Sequence, residues 1–400
     1  MAKLAISHGK CFTPLRTIDD CLILIHEDKL KYVGPFKQDL LADDTELFDA
    51  SGTYVCPGLI DIHVNGGAGA ETIDGTTEAL ETIREFHFNH GATAIVPTLL
   101  STDIERTLSV LGLIGKLQGQ VDANSSRIIG AHLEGPYISK QQKGAHNITQ
   151  IRDANYVEYS RLFDYHTSIS IITAAPEIPG VLDLAKTLQS EKTVFSIGHS
   201  DAKYEHAIEA IEAGFSMVTH IYSVLSTITR DHLTKVPGVI EAALLHDDFT
   251  VEVIADNMHL PPSLIQLILK VKPIDRIIVA SDAIRAAGLT DGKYLMGNKE
   301  ENHQIIVEDG IAKTMDKKLL AGSTVTIEES IKNIVNASGI TINDAIRTVT
   351  LNPAKLLGVD DNFGSLTPGK KADITILNKD FTVHSIVLDG KLTPFHHNNP

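Results

Sequence analysis

Glu134 in RIIGAHLEGP, His199 in VFSIGHSDA, His220 in MVTHIY and Asp282 in RIIVASDA each stand where an apolar run ends. One carboxylate and two imidazoles make a three-ligand set for a divalent metal, with a coordination position left for water. Asp282 beside that set can take a proton from the water and pass it to a departing amine. The combination predicts a metal-dependent hydrolase with one divalent ion per chain, Zn2+ or Fe2+, since imidazole and carboxylate suit either. Taken singly, each residue has a plainer use. A glutamate before Gly-Pro can be a solvated loop residue, a strand-end histidine is commonly hydrogen-bonded structure, and Asp282 can cap a following helix. Convergence would turn four ordinary residues into a site.

Other residues lie near these ends in the chain. His63 and Asn65 follow the first apolar run as HVN. A pair of histidines there would offer ligands to a second metal, but Asn65 breaks the pair, and its amide is a poor metal ligand. His63 is therefore expected beside the metal set or in a weak extra site, with simple packing in the barrel mouth equally open. His146 in KGAHN, His259 in IADNMHL and Arg230 beyond His220 are candidate substrate contacts. An arginine among backbone amides suits a phosphate, although its spacing alone reads as an ordinary surface residue. His8, His87, His90 and the pair His396 and His397 read as structural or solvent-facing.

Positioning the four strand-end residues requires a frame that gathers distant strand ends. Between about residues 58 and 350, short apolar runs alternate with amphipathic stretches, the mark of repeated β-α units. GLIDIHV, ATAIVPT, RIIGAHL, SISIITA, TVFSIG, SMVTHI, FTVEVIA and RIIVAS give eight strand candidates, interleaved with helical patterns such as TTEALETIREFHFNHG and DAKYEHAIEAIEAG. Eight units predict a closed (β/α)8 TIM-like barrel, whose carboxyl-terminal strand ends share one face. HVNGGAG lacks the GxGxxG pattern expected of a doubly wound dinucleotide fold. The stretch from Gly288 to Leu320 reads as a β excursion over the barrel mouth, with a hairpin in IIVEDGIAKTM. DDCLILIHEDKLKYVG near the start and KADITILN and VHSIVLDGKL near the end alternate as strands and tight turns. We expect residues 1–54 plus 356–400 to form one small β domain and 55–355 the barrel, with Asn352-Pro353 and Thr367-Pro368-Gly369 as turns at the join.

The composition narrows the partners. With 400 residues, 43% hydrophobic and 22% charged, the chain can bury a large core. Its net charge of -16 argues against nucleic acid and anionic membranes, which need broad basic surfaces, but not against a small anionic substrate. No run of 18 apolar residues and no secretory leader pattern is seen, so a cytoplasmic address is expected. Cys11, Cys21 and Cys56 are too few and too irregularly spaced for a disulfide framework or a zinc ribbon.

Taken together, PGLIDIHVNGG, HLEGPYIS, KGAHN, TAAPE, GHSDA, THIY, IADNMHL, ASDAIRAAGL, LLAGST and LNPAKLLGV resemble the N-acetylglucosamine-6-phosphate deacetylases of the amidohydrolase superfamily. The closing GSLTPGKKADITILN is widespread in that superfamily. The resemblance implies a distorted barrel with a β-sandwich built from both termini, in a homodimer. It implies metal ligation by Glu134, His199 and His220, with Asp282 as catalytic acid-base. It places His146 on the acetamido carbonyl and His259 and Arg230 on the sugar phosphate, the arginine reaching from the neighbouring subunit. The implied reaction converts N-acetylglucosamine 6-phosphate to glucosamine 6-phosphate and acetate, in amino-sugar catabolism and cell-wall recycling. The chain departs from the family pattern after THIY, where Ser223 and Val224 stand in place of Asn-Ala or Asn-Gly against the sugar phosphate. That change leaves open the galactosamine epimer, or a sugar-phosphate binder of weak activity. A cyclic amidohydrolase would use a carboxylated lysine on the fourth strand, and TAAPE has none.

Overall fold

The computed structural model describes residues 4–188 and 192–394; His396 and His397 lie outside them. All eight expected barrel strands form: Leu59–Val64, Ala92–Leu99, Ala131–Glu134, Ile169–Ala174, Val194–Ile197, Phe215–Val218, Thr250–Ile254 and Ile277–Ala280. Neighbours pair in parallel from the first strand to the eighth. Nearly every residue in them is buried, because helices cover the outer face and packed side chains fill the inner one. That double burial explains why they read as continuous apolar runs.

The third run is broken. RIIGAHL forms Arg127–Ile128 and Ala131–Glu134, interrupted where Gly130 adopts φ +147, and a Cβ there would lie 1.8 Å from Ser170 Oγ. The ring closes without a regular ladder between its first and last strands. Instead Val64 bridges Ala283, and Ser281 reaches back with its amide to Asp61 Oδ1 at 3.2 Å and its hydroxyl to the His63 carbonyl at 3.3 Å. This closure sets the first strand end against Asp282.

The expected helices also form. Thr77–Asn89 starts where the Thr76 hydroxyl accepts from the Ala79 amide, and Tyr204–Glu212 follows His199. The excursion after the eighth strand is a three-stranded antiparallel sheet, Gly292–Leu295, Gln304–Glu308 and Ile311–Thr314. Its apolar side, including Ile305 and Val307, packs with Leu100, Ala145 and Ile284, which holds it over the barrel mouth.

Two further sheets come from the flanks. One orders Lys29–Pro35, Cys21–His26, Leu4–Ser7 and Glu46–Asp49, and the other runs from Lys391–Pro394 through Ile374–Leu377 and Tyr54–Pro57 to Thr17–Ile18. Their facing side chains, among them Ile6, Ile23, Val55, Ile374 and Val387, share one core. The boundary expected between residues 54 and 55 falls inside the strand Tyr54–Pro57, which pairs wholly within these sheets. Asn352 and Pro353 are not a turn. They lie in the helix Leu351–Leu356, where proline in a first turn loses no intrahelical bond and the Asn352 amide donates to the carbonyls of Ile274 and Ile277, each at 2.7 Å. The three cysteines are free and buried.

Candidate active site

The barrel brings the strand-end residues together. Glu134 Oε1 lies 3.0 Å from His199 Nε2 and 3.1 Å from His220 Nε2, and those nitrogens are 3.2 Å apart. His199 donates Nδ1–H to the Gln142 carbonyl at 2.9 Å, which fixes its neutral tautomer and leaves the Nε2 lone pair facing the carboxylate oxygen. Lone pairs aimed at one point repel unless a cation sits between them. A triangle of this size, with one imidazole oriented by a backbone carbonyl, is what a tetrahedral divalent ion takes as three of its ligands. Burial and the neighbouring His146 lower the His199 pKa, which keeps its imidazole neutral and able to ligate. Glu134 is driven the other way. Burial would raise its pKa, but His63, His146, His199 and His220 together hold it well below the usual carboxylate range.

A competing trio exists, because ligand atoms of Glu134, His146 and His199 lie within 4.8 Å of one another. The tautomer of His146 decides against it. Its Nδ1 accepts from the Ser101 amide at 3.4 Å and meets the Ser101 hydroxyl at 2.8 Å, so the proton sits on Nε2. A protonated Nε2, here 3.6 Å from Glu134 Oε2, is a hydrogen-bond donor and not a ligand. Gly135, directly after Glu134, has φ +86, and a Cβ there would stand 2.2 Å from this Ser101 hydroxyl.

Asp282 is held by the amide of Asn65, which donates to Oδ1 at 2.7 Å. Burial pushes the Asp282 pKa up to about 6, against the opposing charge of His63. His63 does not join the triangle. Its Nδ1 meets Glu252 Oε1 at 2.9 Å, and its Nε2 lies 3.2 Å from Asp282 Oδ1 and 3.5 Å from Glu134 Oε2. Burial opposes charge on this ring, yet Glu252, Asp282 and Glu134 hold its pKa well above the usual value. Its ring therefore lies among three carboxylates, beside the triangle rather than in it.

Sequence reading missed several supports. Glu252, fully buried on the seventh strand, binds both His63 and the His220 amide, the latter at 3.1 Å. Its signal was a lone acid in FTVEVIA. His132 links Thr98 and Thr173, and hydroxyls of Thr173, Thr219 and Ser196 continue the chain, forming a polar layer beneath the triangle. The backbone is unusual at the same points. His199, Asp282 and His220 take φ of +50, +50 and +30, a region costly for residues with a Cβ and found where surrounding structure enforces it.

A cavity of about 270 Å³ opens above this floor. His259, its ring bonded to Asp256 at 2.7 Å, lines it, as do Ser223, Val224 and His146. Arg230 does not. It lies exposed on the hairpin Thr229–Asp231 and Thr234–Val236, outside the lining of its own chain's cavity, because that hairpin extends into solvent with Leu233 97% exposed at its tip.

Comparison with known proteins gives the family. The amidohydrolase family model matches residues 54–393. The N-acetylglucosamine-6-phosphate deacetylase of Vibrio furnissii is 30% identical over 96% of this chain and 95% of that protein. The N-acetylgalactosamine-6-phosphate deacetylase of Escherichia coli O157:H7 is 29% identical over 94% of this chain and 96% of that one. The crystal structure of N-acetylglucosamine-6-phosphate deacetylase from Pasteurella multocida superposes with a TM-score of 0.91 at 27% identity, covering 98% of this chain and all of the other. Since the family model spans most of the chain and the relatives match it nearly end to end, this chain belongs to the amidohydrolase family, in its N-acetylglucosamine-6-phosphate deacetylase branch.

Proposed function

We propose that the chain hydrolyses N-acetyl-D-glucosamine 6-phosphate to D-glucosamine 6-phosphate and acetate, in amino-sugar catabolism. The observation that carries this reading is the triangle of Glu134 Oε1, His199 Nε2 and His220 Nε2, with Asp282 held nearby by Asn65. Those three atoms would hold one zinc or ferrous ion. Such an ion polarises a carbonyl and lowers the pKa of water toward neutrality.

The chain's own residues do the rest. His146, with its proton on Nε2, donates to the acetamido oxygen as negative charge builds there. Asp282 accepts a proton from the attacking water and delivers it to the amide nitrogen as the carbon–nitrogen bond breaks. Without that delivery the amine would leave as a strongly basic anion. Asn65 keeps the carboxylate aimed, and His259 lines the cavity toward the sugar. Arg230 would serve a partner subunit's cavity in a homodimer, a role supported by its exposed hairpin with the bare Leu233. No helix among the described residues is long and apolar enough to cross a membrane.

The galactosamine epimer is the second reading, favoured by the Escherichia coli relative and by Ser223 and Val224 in the cavity wall. The test is acetate release by metal-reconstituted protein from both 6-phosphates and from unphosphorylated N-acetylglucosamine. Fastest turnover of the glucosamine phosphate is expected. Fastest turnover of the epimer would transfer the assignment to it, and none on any of the three, with metal bound, would overturn the deacetylase reading.

A further inference from the structure

The proposed substrate is a phosphate dianion, yet the fixed charges at the floor of the cavity are the carboxylates of Glu134 and Asp282. With Arg230 outside, Lys318 is the one lysine or arginine lining the cavity among the described residues. It sits where the excursion sheet returns to the barrel. The turn is tight: the Thr314 amide donates to the Leu319 carbonyl at 2.9 Å, the Leu319 amide to the Thr314 hydroxyl at 3.3 Å, and Lys313 bridges Leu320.

Two adjacent lysines in this turn have different surroundings. Lys317 is committed away from the cavity, its ammonium 2.7 Å from Glu308 Oε1. Lys318 has no carboxylate within 4.0 Å of its ammonium among the described residues. Asp316, the nearest acid in sequence, is occupied by the Thr314 hydroxyl at 2.6 Å and the Lys318 backbone amide at 3.2 Å. Lys318 is exposed, and although its charge helps to lower the Asp316 pKa, no ion pair holds it, so it is within reach of an anion in the cavity it lines.

Substrate chemistry places the anion there. In a 2-acetamido sugar the 6-phosphate projects from the opposite side of the ring, so an amide seated on the floor carries its phosphate toward the rim. We infer that Lys318 is a specificity-determining residue that binds the substrate's phosphate from within the same chain. The inference rests on the amino-sugar-phosphate reading above. It gives the excursion sheet a function, that of carrying the chain's own phosphate cation to the cavity rim.

The test uses full-length, metal-loaded Lys318→Met and Lys318→Arg. Calorimetric binding of glucosamine 6-phosphate is read alongside kinetics on N-acetylglucosamine 6-phosphate and on the unphosphorylated sugar. For Lys318→Met, Kd and KM for the phosphorylated compounds should rise about tenfold, as expected for one charge-assisted contact. The kcat and the kcat/KM for the unphosphorylated sugar should stay unchanged, and arginine should restore most of the binding. Unaltered phosphate binding in Lys318→Met overturns the assignment, whatever the parent's turnover. A parent that releases no acetate, but whose phosphate binding depends on Lys318, would instead sink the reaction and leave this contact standing.

Discussion

The floor and the rim of the cavity are built from different kinds of chain. On the floor, Glu134, His199, His220 and Asp282 end rigid strands, are nearly fully buried, and are each fixed by a second residue or a backbone group. At the rim, Lys318 stands on an exposed turn after the eighth strand, and beyond the cavity Arg230 stands on an exposed hairpin after the sixth. The contrast teaches how labour is divided in this barrel. Strand register sets the reacting groups to within an ångström or so, while loops that can change without disturbing the core select the substrate.

The largest effect should come from breaking the floor itself. His220→Ala should lose the metal and lower turnover by at least about a thousandfold, whereas His146→Ala should keep the metal and lose about a hundredfold for want of one oxyanion donor. Metal analysis with kinetics checks this, and a His146 variant without metal would reverse the two assignments. Next comes the support beneath. Asn65→Ala frees Asp282 to turn, so kcat should fall about tenfold with metal content intact.

A smaller effect is expected at the rim. Leu233→Lys should disfavour the proposed homodimer in sedimentation and raise KM for the phosphorylated sugar a few-fold, sparing kcat. Smallest for turnover is Asp61, buried below the floor with Oδ2 unpartnered. Burial raises its pKa from 3.8 to about 6, so between those values the folded protein holds more protons than the unfolded chain. Stability should therefore fall as pH rises through that window, by up to about 3 kcal/mol, and the slope should flatten in Asp61→Asn. Melting temperatures from pH 3.5 to pH 7 read it directly.

The same division explains what could be read from residues alone. Each barrel strand is buried on both faces, so its apolar run is visible, and a polar residue at its end is conspicuous. Glu134, His199, His220 and Asp282 were legible for that reason. Asn65 was not: it looked like a broken histidine pair, and its bond to Asp282 exists only because the first strand closes against the eighth, more than 200 residues away. Glu252 was hidden inside an apolar strand whose inward positions sequence does not mark. Lys317 and Lys318 are adjacent in the sequence with nothing to tell them apart, and only the folded turn sends Lys317 to Glu308 and leaves its neighbour lining the cavity. Arg230 carried no local sign that its hairpin would point away from its own site.

In the proposed mechanism a metal held by three strand-end residues works with Asp282 as the proton carrier. Its most direct test is Asp282→Asn, assayed at once for bound metal and for acetate release from N-acetylglucosamine 6-phosphate. A full complement of metal is expected, with kcat lowered by about a thousandfold or more. Parent-like turnover in that variant would contradict it, and loss of the metal would show that Asp282 belongs among the ligands.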